Sequence, residues 1–215
     1  MDQLFRRSSL LLQNALELIN HPLYNDSQRT VASADACQLA IDHGGALRSL
    51  LEGRFGTSAP AMLRCQFEAL TRSLWLLHCA TDEQVEFIMT TAMEGMTSDA
   101  RLPMATDMMR QLRQVPVVAH PLELLEELKA SGWMAMNSYV HGGVHAMQRT
   151  REGFPTELAI SILKQSNGLS ILAVMQLAAL TGVPKLQRLL LPLNDAYGDC
   201  LHIKTGASSS SQAQG

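Results

Sequence analysis

Aromatic residues make up only 5% of this 215-residue chain, and β-branched residues are sparse beside its leucines, alanines and 12 methionines. That shortage argues against a β-sandwich or barrel, whose strands need branched and aromatic side chains, and favours helix. A basic excess is also lacking. The formal charge is −3, so clustered cations able to displace counterions from nucleic acid are not expected, nor is non-specific DNA binding. Lysine is scarce, with 4 against 13 arginines, a bias that suits bidentate pairing with carboxylate or phosphate. Cys37, Cys65, Cys79 and Cys200 fall in no CxxC spacing and sit within apolar helical patterns. Phe5-Arg6-Arg7 precedes only a short apolar run without a processing site, so reduced thiols in a cytoplasmic protein are the expectation. The longest apolar run, LSILAVMQLAAL at 169–180, is too short to span a bilayer and carries Gln176, which makes it a core helix and implies no membrane partner.

What is present reads as an all-α, single-domain bundle of about eight helices over residues 1–204, with a polar tail, GASSSSQAQG, expected to be disordered over 205–215. His21-Pro22 stops the first helix. Ser27 or Asp26 starts a second, interrupted or bent at Gly44-Gly45, and Ser58 with Pro60 opens a third. Thr81 and Gln84 have the spacing of a capping box. SDARLP breaks the fourth helix near 98–103. Ser131-Gly132 separates helices at 121–130 and 131–149, and Thr156 caps the helix that follows Pro155. Met89, Met93, Met96, Met104, Met108 and Met109 crowd one segment, as core filling or as an adaptable partner groove.

The third helix, APAMLRCQFEALTRSLWLLHCA, places Leu63, Phe67, Leu70, Leu74 and Leu77 on one seam. Arg64 and Glu68, four apart, can pair on its surface; Thr71 and Trp75 continue their line, with Arg72 and His78 on the flanks. Such a pair in a nearly all-apolar helix is either a structural brace or the lining of a cleft. In a cleft, Arg64 would hold an anionic group and Glu68 would orient it or act as a base.

Residues 137–145, NSYVHGGVH, pose a second question. On one continuous helix Asn137, Ser138, His141 and His145 share a polar arc, while Trp133, Met136, Tyr139, Val140, Gly143 and Met147 share the other. His141 and His145 have the i, i+4 spacing of a metal pair, but no glutamate as in a zinc-protease helix and no third ligand, so no metal or cofactor is expected. Ser138 activated by His141, acid–base work by His141 beside an arginine, and a satisfied structural network are the other readings.

RCQFEALTRSLWLLHCA followed by NSYVHGG resembles an uncharacterised group of bacterial all-helical proteins that pair an Arg-x-x-x-Glu helix with a later Ser-x-x-His-Gly segment. That group is similar in architecture to the HEPN superfamily, helical bundles that often dimerise and include metal-independent ribonucleases of toxin–antitoxin and phage-defence systems. The resemblance covers roughly residues 58–150. It implies a homodimer, with an RNA substrate or a protein partner, and a site at Arg64, Glu68, Ser138 and His141, to which Arg72, Asn137 and His145 are neighbours. In the ribonuclease reading His141 is the acid–base group, Arg64 stabilises phosphate charge and Glu68 orients it. Nucleases of this type carry Arg and His separated by four to six residues. Arg72 and His78 have five between them, and Arg113 and His120 have six, interrupted by Pro116. His141 has no arginine at that distance upstream. The alternative implied is a non-catalytic dimerising or partner-binding protein in which the same cluster is structural.

Overall fold

The computed structural model describes residues 1–94 and 102–202. Among them are nine α-helices and no strand: α1 Asp2–Leu18, α2 Gln28–Glu52, α3 Ala59–His78, α4 Asp82–Glu94 and α5 Ala105–Leu112, then α6 Ala119–Val140, α7 Val144–Glu152, α8 Thr156–Leu180 and α9 Pro184–Ala196. The all-α class is thus the observed one. Met96, the side chain of Met93, most of the break expected at 98–103 and the tail at 205–215 lie outside the described residues.

Helix α3 is the axis of the bundle. It packs on α2 along most of its length, on α8 beside that, and on α5 and α6 across its other side. The expected seam is its core face, with Leu63, Phe67, Leu70 and Leu74 all buried, while Leu77 is half-exposed. The capping arguments hold where they rest on a side chain able to reach back. Ser27 Oγ accepts from Thr30 N at 3.3 Å, and Thr81 and Gln84 form the reciprocal box at 2.9 and 3.2 Å. Met108 and Met109 are buried, as core filling requires.

Helix α8 is long and apolar enough to cross a membrane by length and composition, but half of it is buried in the bundle. Its buried face carries Ser166, Asn167, Ser170 and Gln176. Asn167 donates to Ser8 Oγ at 2.8 Å and to the Cys200 carbonyl at 2.9 Å, so α8 ties the first helix to the last described turn. Arg7 closes the same junction, bonding Asp199 at 2.6 and 2.8 Å and lying over the Tyr197 ring.

Four expected boundaries move. Gly44-Gly45 does not interrupt α2; Gly44 is buried, and a methyl there would come within 2.7 Å of both Gln66 Nε2 and Ser170 Oγ. The glycine permits close approach rather than a bend. Ser131-Gly132 does not divide α6, which runs unbroken through both residues, with Ser131 Oγ folded back to donate to the Leu128 carbonyl at 3.1 Å. The chain breaks instead at His141-Gly142-Gly143. Pro155, with extended backbone, is the residue that caps α8, and Thr156 is its first helical position.

Candidate functional site

Arg64 and Glu68 are paired on α3, as the spacing predicts. Arg64 Nε and Nη2 both donate to Glu68 Oε1, at 2.8 and 2.5 Å. The arginine side chain is 13% exposed and the carboxylate 35%, so the pair is sunk into the surface with its acid end outward. The third partner comes from α6. The Arg64 guanidinium lies 3.7 Å from the centroid of Trp133, whose edge meets Phe67 at a centroid distance of 5.4 Å. Planar cation on aromatic face is a favourable stack that also shields the ion pair from water.

One turn back on α6, Lys129 Nζ lies 5.0 Å from the same ring and donates to Thr106 Oγ1 at 2.8 Å. One turn forward is Asn137. Lys129, Trp133 and Asn137, at i, i+4 and i+8, form the line by which α6 faces the α3 pair; that spacing in the sequence was the available signal for it. Burial first, then the positive charges of Arg113 and Arg64, hold the Lys129 ammonium below its ordinary range; Glu126 opposes them. A shallow cleft of about 530 Å³ opens beside this line, bounded by Thr106, Arg110, Arg113, Glu126, Lys129 and Trp133. Its arginines are compensated, Arg110 by Asp107 at 2.8 Å and Arg113 by Glu126 at 2.7 Å. Two polar atoms of the cluster are buried without a hydrogen-bond partner: Arg64 Nη1 and Asn137 Oδ1.

Ser138 and His141 do not join this cluster. Residues 137–145 are not one helix but the end of α6, a turn and the start of α7. Gly142 takes φ +63°, a left-handed conformation that ends α6 with His141 as its capping residue. Ser138 Oγ accepts from His145 N at 2.9 Å, and Gly143 N donates to the Ser138 carbonyl at 2.7 Å. A methyl on Gly143 would come 2.7 Å from Ser138 Oγ. Gly143 is the N-cap of α7, and the Ser138 hydroxyl reaches from α6 to its first turn. Gly143 is small because that serine sits against it, not because another helix packs there. The wheel reasoning failed since it carried 3.6-residue periodicity through two glycines that reset the chain direction. His141 and His145 consequently do not share a helical face. Both are exposed, and the His141 imidazole has no hydrogen-bonded or charged partner among the described residues. Val140 and Met147, placed on the packed arc by sequence, are 42% and 62% exposed.

The remaining candidates are scattered. Arg72 is half-buried on α3 with no partner among the described residues, and burial pushes the His78 imidazole below its ordinary range. Cys37, buried beside Ser73, has its thiol pushed up to about 12, which makes it a poor nucleophile. Among the described residues no three His, Cys, Asp or Glu side chains gather as a possible metal group.

An Arg–Glu pair roofed by tryptophan, where α6 packs on the central helix, sets the polar contact of an all-α bundle. Residues 37–203 match the family of unknown function DUF6988, and the chain belongs to that family. No curated protein and no solved structure matches it.

Proposed function

We propose that the protein is a cytoplasmic, non-catalytic dimerising protein in which the Arg64–Glu68 cluster braces the fold. The observation that carries this reading is the exposed apolar surface around the α6–α7 corner. Val140, the last residue of α6, is 42% exposed, Val144 72% and Met147 62%, and α7 has no buried residue. Val144 and Met147, three apart, share one face of α7. An apolar surface is complementary to its own copy, as a surface of one charge is not, and two-fold pairing is the commonest way soluble chains cover such surface. The brace reading of the cluster is supported by its roof: a guanidinium stacked on Trp133 and held by Glu68 is spent on packing.

A second reading keeps the HEPN-like bundle and metal-independent RNA cleavage, as in a toxin or phage-defence component. It is favoured by the place of His141, exposed at the same corner, where a two-fold contact would bring two imidazoles near one another as acid and base. Sedimentation of the wild type against the Val144→Glu, Met147→Glu double variant tests the first reading. A dimer that the double variant dissociates is the expected result, and a wild type monomeric at 100 µM overturns it. Single-stranded RNA incubated with wild type and His141→Ala separates the two: cleavage that the variant loses establishes the second reading.

A further inference from the structure

A second concavity, remote from the Arg64 cluster in chemistry and lining, lies between α6 and the α8–α9 pair. It measures about 360 Å³, within the size range of small-molecule sites. Its walls are Leu124 and Leu128 of α6, Leu172 and Met175 of α8, and Leu190 and Leu191 of α9. Gly168 stands in the middle of α8 on this wall. A glycine inside a helix costs about 1 kcal/mol against alanine, and it is usually explained by a neighbour that a side chain would strike. Gly44 has such neighbours; Gly168 has none, since a methyl there meets no atom within 4 Å. The space it leaves belongs to the groove. At the rim, Lys164 is one helical turn from Gly168 and has no hydrogen bond or ion pair among the described residues, while His120, His202 and Asn194 supply further polar atoms. Glu127 also lines the rim but is not a free charge.

We propose that this groove binds a small amphipathic carboxylate. Its alkyl chain lies along the leucine walls over Gly168, and its carboxylate pairs with Lys164. An apolar trough with one uncompensated ammonium at its edge matches that ligand in both parts: burial of the chain supplies affinity, and the charge-assisted bond fixes orientation.

Calorimetric titration with hexanoate, octanoate and decanoate, each below its micellar concentration, tests the assignment. Affinity is expected to rise about tenfold for each pair of added methylenes until the groove is filled. Decanol should bind about tenfold more weakly than decanoate, and Lys164→Met should remove that difference while leaving decanol unchanged. Gly168→Phe, whose Cβ meets no atom within 4 Å, fills the trough and should abolish binding. Gly168→Ala, read beside it by thermal midpoint and decanoate affinity, should keep the fold and most of the binding. No saturable binding of decanoate overturns the proposal, as does equal affinity for decanol, or decanoate binding that survives Gly168→Phe. If Gly168→Phe instead dissociates a wild-type dimer without ligand, the groove is an interface between copies and the carboxylate assignment falls. Dissociation by the Val144 and Met147 charges alone leaves it standing.

Discussion

Helix α3 carries polar groups on two sides, and the two are built on opposite principles. Towards α2 and α8, Gln66 donates to the Ser166 carbonyl at 3.0 Å and to Ser170 Oγ at 2.9 Å, and accepts from Ser166 Oγ at 2.7 Å. Beside it Ser33 and Ser73 exchange bonds at 2.9–3.0 Å, each reaching the other's carbonyl. These side chains are neutral, short and wholly buried, and their bonds close among themselves. Towards α6 the polar groups are charged, long and half-buried, and Arg64 Nη1 and Asn137 Oδ1 are left over. A closed neutral network specifies one packing, because any shift strands a group in low dielectric. The charged cluster is open only at its rim, where Glu68 and Lys129 reach water, while Arg64 stays clamped under Trp133. The first side fixes the bundle; the second joins α6 to it through one stacked ion pair.

That contrast is sharpest at Gln66. Gln66→Ala removes the amide, leaves two serine hydroxyls and a carbonyl to fend for themselves, and opens a cavity, for a loss of about 4 kcal/mol. Urea unfolding reads this as a fall in midpoint with unchanged slope. A loss no larger than that of a surface substitution would show the neutral network to be no more specific than the charged one. Gly44→Ala attacks the same network from α2 by adding one methyl within 2.7 Å of Gln66 Nε2 and Ser170 Oγ. The gain in helix propensity offsets only part of the overpacking, leaving a net loss of about 2 kcal/mol. The same change at Gly168 should be neutral or stabilising, so the pair of variants isolates close approach from propensity.

Much of this was readable in the residues. The α3 seam, the Arg64–Glu68 pair and two of the helix caps follow from spacing alone, because each depends on neighbours within one turn. What sequence periodicity could not supply was whatever depends on a partner helix or on a reset of chain direction. Trp133 belongs to the Arg64 cluster only because α6 crosses α3 there. Ser138 fell outside it because its hydroxyl is taken by His145 N across the turn, and His141 because α6 ends there, where Gly142 at positive φ turns the chain. Gly44 and Gly132 show why glycine misled in the other direction: inside a well-packed helix it is tolerated, and only its neighbours tell whether it bends, breaks or admits.

The smallest expected effect probes the charged side through pH. The Lys129 ammonium is held below its ordinary range by burial and by the fields of Arg113 and Arg64. With the folded pKa below the unfolded one, the unfolded chain binds more protons between the two values, so stability rises with pH across that alkaline window. Below the folded pKa the penalty on the charged form is present in full. Lys129→Met removes that penalty at neutral pH, along with the bond to Thr106 Oγ1, while its stem still covers Trp133. Solvent screens a half-exposed charge, so the net change at neutral pH should stay under about 1 kcal/mol. The signature is the loss of the alkaline rise, read by urea unfolding of both proteins at about pH 7 and about pH 9.5. Were the variant to keep the same rise as the wild type, Lys129 would not be its source. The contrast between the two sides of α3 would then rest on Arg64 Nη1 and Asn137 Oδ1 alone.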